Sequence, residues 1–238
     1  VETIAQEFSA WCETLCPGER GDAAFGAVPV PKDGFITYPA PEWVKRFTGP
    51  KGEDLGGIVF VDERSTAENH IQPALLGLIH ARRIGGITLG KRVRVIMATN
   101  AVEDSANGHE VSLALANRYG HLPWEAPSLD EYEAYQLAGE EQVKQVTTLE
   151  KEEARVMQVF PAFHANAKGR VLSFLRARPE LLHKKPKPGE PAAQGAWPSR
   201  RTVDLAMRAL AGGQSNGLSK SDTYKLMGGF VGTGFMKE

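Results

Sequence analysis

An α/β fold with a parallel sheet, followed by a small all-helical region, is what this sequence predicts, and three observations carry the prediction. Two short apolar, β-branched runs, Gly57-Ile58-Val59-Phe60-Val61 and Val93-Arg94-Val95-Ile96-Met97-Ala98, each end abruptly in polar residues, as strands buried on both faces do. A helix-like stretch lies between them, and strand, helix, strand is the repeating unit of parallel sheets. After about Trp124 the strand signals stop and helix-capping patterns take over, which divides the chain into a core at 1–124 and a helical region at 125–238.

Phe25 to Trp43 is rich in Gly and Pro, with a turn expected at Lys32-Asp33-Gly34, and reads as an insertion projecting from the sheet. The strand at Gly57 runs into Asp62-Glu63. Ser65 and Thr66 are capping residues for a helix over about Glu68 to Ala81, with Ile71, Leu75, Leu78 and Ile79 on one face. Pro73 and Gly77 weaken that helix and predict a late start or a kink. Arg82 to Val93 alternates apolar and polar residues about Gly85-Gly86 and Gly90-Lys91, the pattern of a second inserted hairpin. Ser128-Leu129-Asp130-Glu131 is a capping box opening one helix. Lys168 to Arg178, Arg201 to Leu210 and Ser219 to Met227 read as three more, and Lys184 to Pro191 as a loop.

Composition narrows the function. Lys and Arg total 28 against 29 Asp and Glu, a formal net charge of -1, so no whole-molecule field draws in nucleic acid or an anionic membrane. The longest apolar runs fall far short of the roughly 20 residues that span a bilayer, and the first residues lack a secretory signal pattern. Cys12 and Cys16 sit at the spacing of one helical turn, and no N-x-[ST] acceptor occurs, so a reducing, cytoplasmic setting is expected. Zinc is not expected, because His70, His80, His109, His121, His164 and His183 form no paired pattern with the thiols. His109-Glu110 lacks the second histidine of a metalloprotease motif, and a serine-nucleophile hydrolase is not expected either.

Ligands of open α/β sheets bind at the carboxyl ends of the strands, and Asp62, Glu63 and Asn100 all fall there. An apolar strand ending in two acids suits nucleotide hydrolysis. The first carboxylate holds hydrated Mg²⁺ on the phosphates, the second polarises the attacking water, and an Asn on the adjacent strand orients that water. The competing reading is that the two acids simply open a solvated loop. Arg64, directly after them, either favours the charged form of Glu63 or points to solvent, and the solvent orientation is the expectation.

These residues, with Arg82-Arg83-Ile84-Gly85-Gly86 and Ser112-Leu113-Ala114-Leu115-Ala116-Asn117-Arg118-Tyr119 in the same order and spacing, resemble the MoxR branch of the AAA+ ATPases. Gly26 through Trp43 is similar to the hairpin that this branch inserts in its second core helix, and Ala196-Trp197-Pro198-Ser199-Arg200-Arg201 resembles the start of its lid helix. The resemblance implies a parallel-sheet ATPase core with inserted β-hairpins and a helical lid at 125–238. It makes Asp62 the Walker B acid that coordinates Mg²⁺ through water, Glu63 the catalytic glutamate and Asn100 the first sensor. Arg118 would be the arginine finger, reaching ATP held by a neighbouring subunit of a homo-oligomer, normally a hexamer. Arg201, or alternatively Arg200, would be the lid sensor acting on the chain's own nucleotide. The implied partner is a client protein, one containing a von Willebrand factor A domain, and the implied role is its remodelling, maturation or assembly by ATP hydrolysis.

One departure from the family stands out. The sequence contains no G-x-x-x-x-G-K-[ST] phosphate loop, so the expectation is that the 238 residues are a piece of a longer protein that begins just after the missing Lys-Ser/Thr. Gly228 to Gly234 is glycine-rich but lacks a lysine and is read as a helix-ending turn. A non-hydrolysing scaffold of the same shape is the main rival. A nucleic-acid motor is a third, which the charge balance argues against.

Overall fold

The computed structural model describes residues 1–100, 109–138, 146–187 and 189–236. Helix α1 (Glu2–Glu7) leads into strand β1 (Cys12–Leu15) and the short α2 (Pro17–Arg20). The hairpin β2 (Val30–Lys32) and β3 (Phe35–Thr37) precedes β4 (Gly57–Val61), α3 (Gln72–Ala81), a second hairpin β5 (Arg83–Ile84) and β6 (Ile87–Thr88), and β7 (Val93–Met97). Helices follow: α4 (Leu113–Ala116), α5 (Leu129–Ala138), α6 (Leu149–Ala177), α7 (Arg200–Ser215), α8 (Lys220–Val231) and α9 (Thr233–Met236).

The sheet is three-stranded and parallel, in the order β1-β4-β7. Its central strand buries Val59 and Val61 on one face and Ile58 on the other, which is why the run is apolar on both faces. Strand β1 escaped the sequence reading, and the cysteines spaced as on a helix in fact lie on and just beyond it. The polar Glu13 broke the apolar signal there, yet it is buried and satisfied by the Trp11 indole at 3.1 Å and Arg46 at 3.7 Å. Four residues along a strand span about 13 Å, too far for Cys12 and Cys16 to pair. Gly57 is required where β4 begins: its φ is +134°, and a Cβ would lie 2.6 Å from the Trp11 carbonyl oxygen. The core beneath the sheet closes around Phe25, Trp43, Phe47, Leu75 and Leu78, with the Trp43 indole donating to the Ala24 carbonyl at 2.9 Å.

Helix α3 starts late, as Pro73 predicts, because proline is tolerated only in the first turn. Ser65 and Thr66 do not cap it. They belong to a tight turn at Arg64–Thr66, in which the Thr66 hydroxyl donates back to the Glu63 carbonyl at 2.8 Å. Both expected hairpins form. Asp33-Gly34, at φ +51° and +79°, closes the first, and Gly85-Gly86 closes the second. The base of the first meets the turn of the second: a Cβ on Gly26 would stand 2.6 Å from the Gly85 nitrogen.

In the helical region, Val203, Ala206, Met207, Leu210 and Ala211 give α7 an apolar stripe at helical spacing. It packs with Val171 and Leu175 of α6 and Met227 and Val231 of α8 into a second core. Helix α6 begins well before the predicted Lys168, since its polar first half offers little apolar periodicity, and Pro161 lies inside it. Helix α8 runs through Gly228 and Gly229 and ends at Gly232 (φ +80°), so the expected turn comes later than predicted. The Ser128 capping box opens α5 as expected. In the Lys184 loop, Pro188 lies outside the described residues.

Candidate functional site

The parallel register sets Leu15, Val61 and Met97 level, so the residues after all three strands gather at one sheet edge. Asp62 is half-buried there, its N–H tied to the Leu15 carbonyl at 2.8 Å and its Oδ1 accepting the Glu63 N–H at 3.0 Å. Glu63 is exposed and adopts a left-handed backbone (φ +46°), uncommon for a non-glycine residue. The Arg64 N–H donates to the Ala98 carbonyl at 2.8 Å, which fastens the turn to the end of β7. Asn100, exposed, follows on that strand, its carbonyl accepting the Thr99 hydroxyl at 3.1 Å. The sheet therefore brings Asp62, Glu63 and Asn100 together, as the sequence predicts.

Arg64 itself is a correction, because only 2% of it is exposed instead of pointing to solvent. Its guanidinium lies 3.5 Å from both the Thr99 hydroxyl and the His109 carbonyl, and its buried Nε has no partner. Burial holds it below its ordinary value, while the Tyr119 phenol acts in the opposite direction. Burial likewise pushes the Tyr119 phenol up, against the pull of Arg64.

Arg118 lies just beyond α4, and Arg200 and Arg201 occupy the exposed first turn of α7. The Arg118 guanidinium donates to the Ala114 carbonyl, and its Nε is buried without a partner. Its pKa is held below the usual value first by burial and then by the charge of Arg201. The two arginines thus share one patch. Buried Asn117 fixes this arrangement, donating to the Trp197 carbonyl at 3.2 Å and accepting the Ser199 hydroxyl at 2.7 Å. Ser199 also caps α7 in a box with Thr202. Nothing in the sequence marked Asn117 for this work, since its partners lie some eighty positions away. Among the described residues, no hydrogen bond or ion pair links the acidic pair to Arg118, Arg200 or Arg201.

Two near-motifs dissolve in the fold. Gly85 to Gly90-Lys91 lacks only the Ser/Thr of a phosphate loop, where Arg92 stands, but it forms the β5–β6 hairpin instead of joining a strand to a helix. Gly213-Gln214-Ser215-Asn216-Gly217 matches a nucleophile-elbow pattern, yet it ends α7, and the Ser215 hydroxyl donates to the Gly212 carbonyl. A cavity of about 590 Å³ between α6 and α8 is lined by Phe163, Asn166, Arg170, Lys220 and Tyr224 but has no acidic side chain to serve as base or metal ligand.

No cluster of three metal-binding side chains occurs among the described residues. The site suits Mg²⁺ nonetheless. That ion keeps several waters and takes one or two carboxylates plus phosphate oxygens, and Asp62 has an oxygen not engaged by Glu63. No helix among the described residues is long and apolar enough to cross a membrane.

No family model matches the chain, and no curated protein does. Among solved structures, a "putative ATPase" from Cytophaga hutchinsonii superposes with a TM-score of 0.52 at 12% identity, over 97% of this chain and 71% of that one. At that identity the likeness is one of fold: a parallel-sheet core followed by a helical C-terminal region.

Proposed function

We propose that this chain is the hydrolytic part of a MoxR-like AAA+ ATPase that remodels, matures or assembles a client protein. One observation carries the reading: an Asp-Glu pair at the end of the central strand, with Asn100 after the end of the next, on a fold shared with a "putative ATPase". Asp62 would hold Mg²⁺ through water, and the ion would neutralise charge on the phosphates. Glu63 takes a proton from water as its oxygen forms the bond to the γ-phosphorus, and the bond to the β,γ-bridging oxygen breaks, giving ADP and phosphate. Asn100 orients that water.

This reading makes Arg118 the finger that reaches ATP held by a neighbouring subunit of a ring, and Arg201, or alternatively Arg200, the lid sensor of the chain's own nucleotide, so that each phosphate group is met by both arginines, one from each subunit. The core at 1–124 and the lid at 125–238 then move as the two parts of each subunit. The hairpins, with Phe35 and Ile36 exposed at the first, face the client. A von Willebrand factor A domain protein is the client that the family likeness supports, and a cytoplasmic setting fits it.

The test is Mg²⁺-dependent ATP binding and turnover by the full-length protein and its Glu63→Gln variant. Binding in both, with turnover only in the wild type, supports the reading. Retained turnover in the variant removes Glu63 from its role. If the wild type neither binds nor hydrolyses ATP, the scaffold reading replaces this one.

A further inference from the structure

Arg64 is joined covalently to Glu63 and hydrogen-bonded through its N–H to the end of β7, yet its side chain turns inward. There it meets Thr99 and the His109 carbonyl, and its charge reaches Tyr119 and His121, the former packed on Val111, Leu115 and Ala116 of the segment that follows His109. No carboxylate pairs with it among the described residues, and its Nε is unsatisfied. Burying an arginine on these terms costs more than burying an apolar side chain of similar size, so packing alone does not account for it. The segment it meets rests on the same turn. His109 donates to the Ser65 carbonyl at 2.8 Å, and Gln72 bridges the Glu110 carbonyl at 2.9 Å and the Ser112 N–H at 3.3 Å. From Ser112 the chain rises through α4 to Arg118.

We propose that Arg64 is a positioning residue that couples the backbone of Glu63 to the segment carrying Arg118, so that the water-activating group and the arginine move together; this rests on the hydrolytic reading above. Glu63 sits in a left-handed conformation held by the Thr66 hydroxyl on its carbonyl. Any change of that peptide displaces the Arg64 guanidinium, and with it the turn at 118–121.

The test compares Arg64→Met, which keeps bulk and removes charge, with Arg64→Lys, which keeps charge, in the full-length protein. Arg64→Met should lower kcat about tenfold or more while the ATP Kd shifts less than about threefold, and Arg64→Lys should recover much of the loss. In an Arg118→Ala background, Arg64→Met should cause little further loss. An unchanged kcat, an equal loss in both backgrounds, or a lysine variant no better than methionine overturns the coupling. If Arg64→Met does not fold, Tyr119→Phe takes its place in the same cycle, and an unchanged kcat there overturns it.

If the wild type proves not to hydrolyse ATP, the hydrolytic reading fails separately, and amide hydrogen exchange decides the coupling. Faster exchange across 111–121 in Arg64→Met, or in the Tyr119→Phe substitute, with β1 and β4 still protected supports it. Unaltered exchange across 111–121 overturns it.

Discussion

The Ser199 hydroxyl donates to Asn117 Oδ1 at 2.7 Å, with both side chains buried, and through this bond the segment bearing Arg118 is joined to the helix bearing Arg201. Asn117 also donates to the Trp197 carbonyl, so Asn117→Ala strips two bonds from a buried network. A loss of about 2–3 kcal/mol is expected. A denaturation midpoint equal to the wild type's would show the network to be dispensable.

Asp62 and Glu63 should separate by their effects. Asp62→Asn weakens Mg²⁺-dependent ATP binding, whereas Glu63→Gln leaves binding intact and lowers turnover by about a hundredfold or more, the range of a lost general base. Isothermal titration with ATP and Mg²⁺, beside phosphate release, distinguishes them; a Glu63→Gln protein that still turns over ATP contradicts the assignment.

If Arg118 and Arg201 act on one phosphate group, their losses are not additive. Arg118→Ala and Arg201→Ala each lower turnover by about a hundredfold or more, and the double variant falls little further. With Arg201 as the lid sensor, Arg200→Ala has a smaller effect, and an equal loss there would transfer the role to Arg200. Full multiplicativity in the double variant would place the two arginines at separate sites.

His121 gives the fold a pH dependence. Its imidazole is lowered chiefly by burial and further by Arg64, although the Ala116 carbonyl at 2.9 Å opposes them. The unfolded chain therefore binds the proton more readily, so stability is full above the ordinary value of 6.5 and falls as pH drops below it. His121→Gln should flatten this slope between about pH 7.5 and 5.5 in urea titrations. An unchanged slope would assign the pH dependence to other groups.

Gly57→Ala should be among the most damaging changes to the core. Its Cβ would press on the Trp11 carbonyl and on the Phe47 ring 2.8 Å away, at a backbone angle few side chains adopt. A cost above about 3 kcal/mol is expected, read from the fall in thermal midpoint. A small shift would mean that β1 and β4 can part without loss.

Much of the fold was legible because its signals are local. Apolar runs at 57–61 and 93–97 marked two strands, Asp33-Gly34 and Gly85-Gly86 marked two hairpins, and Ser128 marked a capping box. The signals that failed were those tertiary partners override. Strand β1 hid behind Glu13, which Trp11 and Arg46 make tolerable inside, and Ser65 and Thr66 looked like caps until the turn engaged Thr66 with Glu63.

The sequence by itself determined the two parallel strands, the polar residues at their ends and hence the edge where Asp62, Glu63 and Asn100 lie, because a strand's direction and end are written in consecutive residues. Only the tertiary structure decided that Arg64 turns inward, that Asn117 holds the start of α7, and that Arg118 and Arg201 share a patch. Those relationships join residues tens of positions apart, and each is fixed by burial and charge that exist only once the sheet edge and the helices have packed together.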